Sequence, residues 1–202
     1  MCKSSFKKGD VIFHENQAGE AMFIIEKGIV EVTSVSFRGD KKMFAILGPG
    51  ECFGEMSIFS LLPRTAQTRA MTNCSVYIIY RKDLIPILKN NPEISLAALK
   101  IVCRRLAAAD MEIKSLSFEK VDERIAETLL TLCEKIGHPD NRGIEFEIRV
   151  THQLIAELVG SQREVVSRQM KKFSDYGWIK TSSKGIVILN LGAIKTFLNE
   201  RI

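Results

Sequence analysis

Two sets of side chains in this 202-residue chain have the types and spacing to do chemistry. The first is Gly54-Glu55, followed about ten residues later by Arg64-Thr65-Ala66. An arginine presents a planar fork of donors that matches a phosphate, and the free N–H groups of a helix start offer an anion more donors. Glu55 is an acceptor suited to a sugar hydroxyl. The cluster fits a phosphorylated sugar ring. The second set is Arg163, Arg168, Lys171 and Lys172, with Lys180 and Lys184 beyond them; from Ser161 to Lys184 these six bases face only two acids, Glu164 and Asp175. Cations at that density suit a nucleic-acid backbone, and arginine is the side chain that reads guanine in the major groove.

The second set needs a rigid carrier, and the surrounding residues supply one. Leu154, Ile155 and Leu158 fall at helical spacing before Gly160, as do Val165, Val166, Met170 and Phe173 after it. Thr151 can cap the first helix, and Ser161 with Glu164 spells an S-x-x-E capping box for the second. Two helices joined at a glycine, the second with a basic face, are what groove reading requires. An ordinary helical hairpin with a solvated face has the same local pattern. Next come Trp178-Ile179-Lys180 and Ile186-Val187-Ile188-Leu189, flanking the turn Ser182-Ser183-Lys184-Gly185. Helix, turn, helix and hairpin make a winged arrangement, with Lys180 and Lys184 where a wing meets phosphate. Double-stranded DNA is the expected partner.

The first set needs a different carrier. Val11-Ile12-Phe13, Met22 to Ile25, Ile29 to Val32, Met43 to Ile46 and Val76 to Ile79 are short apolar runs separated by glycine turns. That pattern predicts a small antiparallel barrel or roll. A short helix over Asp83 to Asn90 and then Pro92, a good first-turn residue, lead into a longer helix. Along it Leu99, Val102, Leu106, Ala109, Ile113 and Leu116 repeat at alternating spacings of three and four. This seam pairs with a second copy of the chain or else packs against the chain's own roll. Phe118-Glu119-Lys120 makes a joint, Val121 to Ile136 an amphipathic helix, and Ile144 to Val150 a half-buried strand. The expected fold class is α+β: a roll over 1–91, a long dimerisation helix over 92–118, and a winged helix-turn-helix over 119–202.

Composition narrows the function classes. The net charge of +5 is compatible with nucleic acid. Five cysteines form no C-x-x-C pair and three histidines lie far apart, so neither a disulfide framework nor a metal site is expected. No apolar run approaches membrane-spanning length and the N-terminus has no hydrophobic signal region, so the chain is expected in the cytoplasm and, as a DNA binder, with the nucleoid. No nucleophile–base pair supports an enzyme.

Gly9, Gly28, Phe53-Gly54-Glu55, Arg64-Thr65-Ala66, the long helix and Gly160 to Arg168 together resemble the CRP/FNR family of bacterial transcription regulators over essentially the whole length. The resemblance implies that Gly54, Glu55, Met56, Arg64 and Thr65 bind the phosphate and ribose of a cyclic nucleotide, cyclic AMP or cyclic GMP, with no other cofactor required. It implies that the long helix pairs two subunits, and that Thr151, Ser161, Gln162, Arg163, Glu164, Ser167, Arg168, Lys171 and Lys184 meet a palindromic operator. RNA polymerase is a further partner it admits. The chain also departs from the family. Only Cys2 lies near the N-terminus, against the iron–sulfur branch, and no histidine or cysteine is placed for haem. Where the cyclic-AMP branch presents Thr-Ser to adenine, this chain has Ala109-Asp110. An ionised Asp110 only accepts, which suits the N–H donors of guanine better than adenine's single amine, and Thr65 adds a hydroxyl. Alternatively Asp110 pairs with Arg104 or Lys114 along its own helix and says nothing of the base. The expected function is a homodimeric, effector-controlled regulator; the alternative is an effector-independent DNA binder whose pocket is empty or reused.

Overall fold

The computed structural model describes residues 2–141, 143–182 and 185–200, so Lys184 lies outside the described residues. The chain divides into two compact units, Met1–Ser34 with Phe44–Ser117, and Val35–Met43 with Phe118–Ile202.

The first part of the chain runs β1 (Cys2–Phe6), β2 (Val11–Phe13), β3 (Ala21–Lys27), β4 (Val30–Val35), β5 (Lys41–Leu47), β6 (Cys52–Phe53), α1 (Glu55–Ser60), β7 (Gln67–Ala70), β8 (Cys74–Tyr80), α2 (Arg81–Asn90) and α3 (Pro92–Phe118). The strands form two sheets, β1-β8-β3-β6 and β2-β7-β4-β5, and the registers of β1, β2, β3 and β4 with their partners are antiparallel. The apolar runs of the sequence fill the roll: Phe13, Phe23, Ile25, Val30, Leu47, Phe53 and Val76 form one buried cluster. Each such side chain, fully buried, is worth about 1.5–3 kcal/mol. The rings of Phe23 and Phe53 stack at 4.9 Å with planes 8° apart. β3 is buried on its other face too, where Met22 joins Cys52, Ile58 of α1 and Leu84 of α2. The two short helices are therefore a lid on the sheet, and α1 starts where β6 ends.

α3 is inside out for a helix of a single chain. None of its residues is buried. Leu99 is 57% exposed, Leu106 63%, Ile113 63% and Leu116 46%, whereas the half-buried positions are Ser95, Ala98, Arg105, Glu112 and Ser115. The apolar seam read from the sequence thus does not pack on the roll of its own chain. The stripe turned inward is small or polar.

The second unit contains α4 (Val121–Ile136), β9 (Gly137–Asp140), β10 (Gly143–Phe146), α5 (His152–Val159), α6 (Arg163–Asp175), β11 (Ile179–Ser182), β12 (Gly185–Ile188) and α7 (Leu191–Asn199), with sheet order β11-β12-β10-β9. Its core takes Ile125 and Leu129 from α4, Ile155 from α5, Val166, Met170 and Phe173 from α6, and Ile194 from α7. Thr151 caps α5 by accepting from the Leu154 amide at 3.1 Å. Gly160 ends the helix in the left-handed region, φ 62°, where a side chain is disfavoured. Two expectations are corrected. The Ser161–Glu164 capping box is not formed: the Ser161 amide instead donates to Ala156 O in the turn, and α6 begins one residue later, behind Gln162, with no side-chain cap. The alternating segment 144–150 is strand only to Phe146, and its register with β12 is the single pair Ile144↔Ile188.

Candidate effector pocket and nucleic-acid interface

The Gly54–Arg64 cluster forms at the junction of β6 and α1. Gly54, at φ 78°, caps α1, and a Cβ built there would meet Arg64 Nη1 at 2.6 Å. A Cβ on Gly19 would lie 2.5 Å from Arg64 Cζ, so two glycines clear the space the guanidinium occupies. Arg64 is only 4% exposed. Its Nη1 donates to Gly54 O and its Nη2 to Ala21 O, each at 2.6 Å, while Nε is buried without a partner among the described residues. The Phe13 ring lies 4.2 Å from Cζ, a cation–π contact in a dry setting. Burial pushes the guanidinium down from its ordinary value and the nearby Glu55 carboxylate opposes that shift.

Glu55 is 2% exposed and answered by a residue that the sequence reading missed. Arg105 Nη1, from α3, sits 2.8 Å from Glu55 Oε1, and Arg105 Nη2 donates to Cys52 O. The ion pair meets the carboxylate off the hydrogen-bonding direction: neither Glu55 oxygen has a hydrogen-bond partner among the described residues. Charge is compensated and acceptor capacity is left over. The signal in the sequence was Arg104-Arg105 interrupting an apolar helix, but nothing local said which element the second arginine would meet. Met56 and Thr65 are exposed neighbours, with Thr65 Oγ1 3.8 Å from Met56 Sδ. Ala109 and Asp110 are exposed on α3, a turn or more beyond Arg105. The structure therefore brings together Gly54, Glu55 and Arg64, adds Gly19, Phe13 and Arg105, and leaves Ala109 and Asp110 outside that cluster.

In the second unit α6 buries Val166, Met170 and Phe173 and exposes Arg163, Glu164, Arg168, Lys171 and Lys172, with Gln162 exposed just before it. Arg124 of α4 braces the helix pair by donating from Nε to Val159 O at 3.2 Å, satisfying a carbonyl at the end of α5. Ser167 is half-buried rather than presented outward; its Oγ lies 3.0 Å from Nδ1 of His152, the first residue of α5. A cleft of about 360 Å³ runs beside this pair, lined by Arg149, Thr151, His152, Arg163, Thr181 and Ser182 among others. Burial first, and Arg163 second, hold the His152 ring below its ordinary value. Among the described residues no group of three metal-ligating side chains occurs, and no helix is long and apolar enough to cross a membrane.

Comparison with known proteins matches a cyclic nucleotide-binding domain over residues 3–91 and a Crp-like helix-turn-helix domain over residues 123–197. The chain is 31% identical over 183 residues to the CRP-like cAMP-activated global transcriptional regulator of Mycobacterium tuberculosis, covering 91% of this chain and 82% of that protein. It is 32% identical over 181 residues to the cAMP-activated global transcriptional regulator of Salmonella typhimurium, covering 88% and 84%. A CRP/FNR-family transcriptional regulator of known structure from Thermus thermophilus superposes with a TM-score of 0.85 at 25% identity, over 99% of this chain and all of that one.

Proposed function

We propose a function from one premise: this chain belongs to the CRP/FNR family of DNA-binding transcription regulators. It acts as a homodimer whose grip on a palindromic operator is set by a small phosphate-bearing effector. The observation that carries this reading is the Arg64–Glu55–Arg105 junction, where a buried cation and a buried carboxylate with spare acceptor capacity are tied to the long helix. Arg64 takes the phosphate, and Glu55 takes a ribose hydroxyl. Because Glu55 also holds Arg105, an effector that draws on the carboxylate changes what fixes α3. The seam Leu99, Val102, Leu106, Ala109, Ile113 and Leu116 joins two copies, so that two α6 helices reach successive major grooves roughly 34 Å apart. Arg163, Glu164 and Arg168 read bases, Lys171 meets phosphate, and RNA polymerase is the partner to test at a promoter.

The relatives named as cAMP-activated make cyclic AMP the first effector to try, and Asp110's acceptor carboxylate makes cyclic GMP the second. A specific observation favours the other reading, an effector-independent binder: both Arg64 Nη atoms already donate to backbone carbonyls. Thermal unfolding with each nucleotide, repeated with DNA, separates the two. A true effector at about a hundredfold over its Kd stabilises the fold by about 2.7 kcal/mol. Unchanged melting and unchanged operator affinity with every nucleotide would leave the effector-independent regulator.

A further inference from the structure

His152 opens α5 without serving as its cap, a task Thr151 performs. Its ring instead crosses to α6, where Nδ1 meets Ser167 Oγ at 3.0 Å across fifteen residues of sequence. The other ring nitrogen, Nε2, is buried and has no hydrogen-bond partner among the described residues. Ser167 lies one helical turn beyond Arg163 on α6, so the tie is made on the stretch of helix that carries the first reading arginine. The charged residues lining the cleft at the ring are Arg163 of α6 and Arg149, from the segment entering α5. The β11–β12 hairpin brings the neutral Thr181 and Ser182, and α5 brings Gln153.

A neutral imidazole suits this seat and a charged one does not. In the neutral ring one nitrogen donates and the other accepts, and a serine hydroxyl rotates to match either arrangement. A protonated ring carries N–H on both nitrogens. It would bury a donor at Nε2 with no acceptor and place a second cation beside Arg163, in a cleft already holding Arg149.

We propose that His152, neutral and bonded to Ser167, is a positioning residue for the reading face of α6, and that its protonation loosens that face and weakens operator discrimination. Base reading by Arg163 depends on a two-point alignment, which a small rotation of the helix spoils. Phosphate contacts by Lys171 and Lys172 tolerate the same rotation, because a backbone charge makes little demand on orientation. The signature is therefore a fall in the ratio of operator to nonspecific affinity, with nonspecific affinity kept. Burial and Arg163 place the transition on the acid side of the ring's ordinary value.

The inference rests on α6 being the reading helix, and the test separates the two. The full-length protein, with and without cyclic AMP, is titrated by fluorescence anisotropy against two duplexes at constant ionic strength. One is enriched by the wild-type protein from a randomised library; the other is its scrambled counterpart. As pH falls from about 7.5 through the His152 transition, on the acid side of the ring's ordinary value, the wild-type ratio should fall about fivefold, the worth of one side-chain hydrogen bond. His152→Asn, whose amide can replace Nδ1 and does not titrate, should keep the high ratio throughout. Ser167→Ala should give a low ratio at every pH. The His152 ring resonance in the wild type should titrate with the same midpoint as the ratio, which keeps the test decisive if a variant does not fold. A wild-type ratio independent of pH, an equal acid loss in His152→Asn, or a ring midpoint displaced from that of the ratio overturns the proposal. Arg163→Ala run alongside reports on the premise: if it leaves the ratio intact, α6 is not the reading helix.

Discussion

Arg105→Ala tests the junction most directly. The substitution removes the cation 2.8 Å from Glu55 and leaves a carboxylate that is 2% exposed. Breaking a fully buried pair from one side costs about 3–5 kcal/mol, because the remaining charge is stranded. Arg105 is itself 36% exposed, so water reaches the pair and the figure must be discounted. About 1–3 kcal/mol remains after that screening. For a unit of this size each 1 kcal/mol moves Tm by about 4–8 °C, so a loss of roughly 5–20 °C is expected by calorimetry. The companion variant is Glu55→Gln in the Arg105→Ala background. Taking away the stranded charge should recover most of the loss, so the double variant should melt above Arg105→Ala alone. The double-mutant cycle then gives a coupling of the same sign and size. If Arg105→Ala melts within about 1 °C of wild type and the coupling is near zero, the ion pair is a surface contact of no consequence, and the proposed link between effector and α3 has no physical carrier.

Five further outcomes are expected at named residues. Arg163→Ala should cost about 1–3 kcal/mol at the operator with little change on random DNA, while Lys171→Ala should weaken all sequences alike and reduce the salt slope by about one, both measured by titration at several salt concentrations. Leu106→Glu should yield monomers in analytical ultracentrifugation and lose operator binding with them, since in the proposed dimer a charge in the seam would meet its own copy. Asp110→Ala should abolish any preference for cyclic GMP over cyclic AMP; an equal preference in wild type and variant would detach Asp110 from the base. Glu26 is held at about 2, chiefly by the Lys3 hydrogen bond and then by Ser75 and Tyr77. Its contribution to anchoring β1 is thus complete above the ordinary carboxylate value of 4.5 and is lost as pH falls toward about 2, which exchange protection of residues 2–6 would report.

What the sequence disclosed and what it hid divide along the range of the interactions involved. α5, the Gly160 turn and the body of α6 were legible because their determinants are local: a capping threonine, a left-handed glycine, apolar residues at helical spacing. The start of α6 was misread because the Ser161 amide is engaged in closing the turn, a tie that the S-x-x-E pattern does not reveal. β1 and β7 went unseen because Cys2-Lys3-Ser4-Ser5-Phe6 and Gln67-Thr68-Arg69-Ala70 carry little strand signal of their own. They are strands because β8, more than seventy residues on, supplies partners such as Ile78 for Cys2, and because β2 and β4 flank β7 on both sides. α7 was overlooked although Asn190 caps it, accepting from the Ala193 amide at 2.9 Å, and Ile194 is fully buried. In the pocket, Glu55 and Arg64 were evident from residue type and spacing. Gly19, Phe13 and Arg105 were not, since each acquires its role only when a distant segment is folded against Arg64 or Glu55.

The outward stripe of α3 belongs to the first unit and the basic face of α6 to the second, so the surface proposed to pair two copies and the surface proposed to read DNA can be damaged separately. In a cell carrying two alleles this becomes a matter of inheritance. A subunit with an intact stripe and a blunted α6 would still find wild-type subunits and recruit them into hybrids with one working half. Such alleles should be dominant, silencing more protein than they encode. Alleles that put a charge at Leu106 or Ile113 exclude their own product from the pool and should be recessive. Scoring variants against a wild-type copy would thus map the two surfaces by phenotype alone.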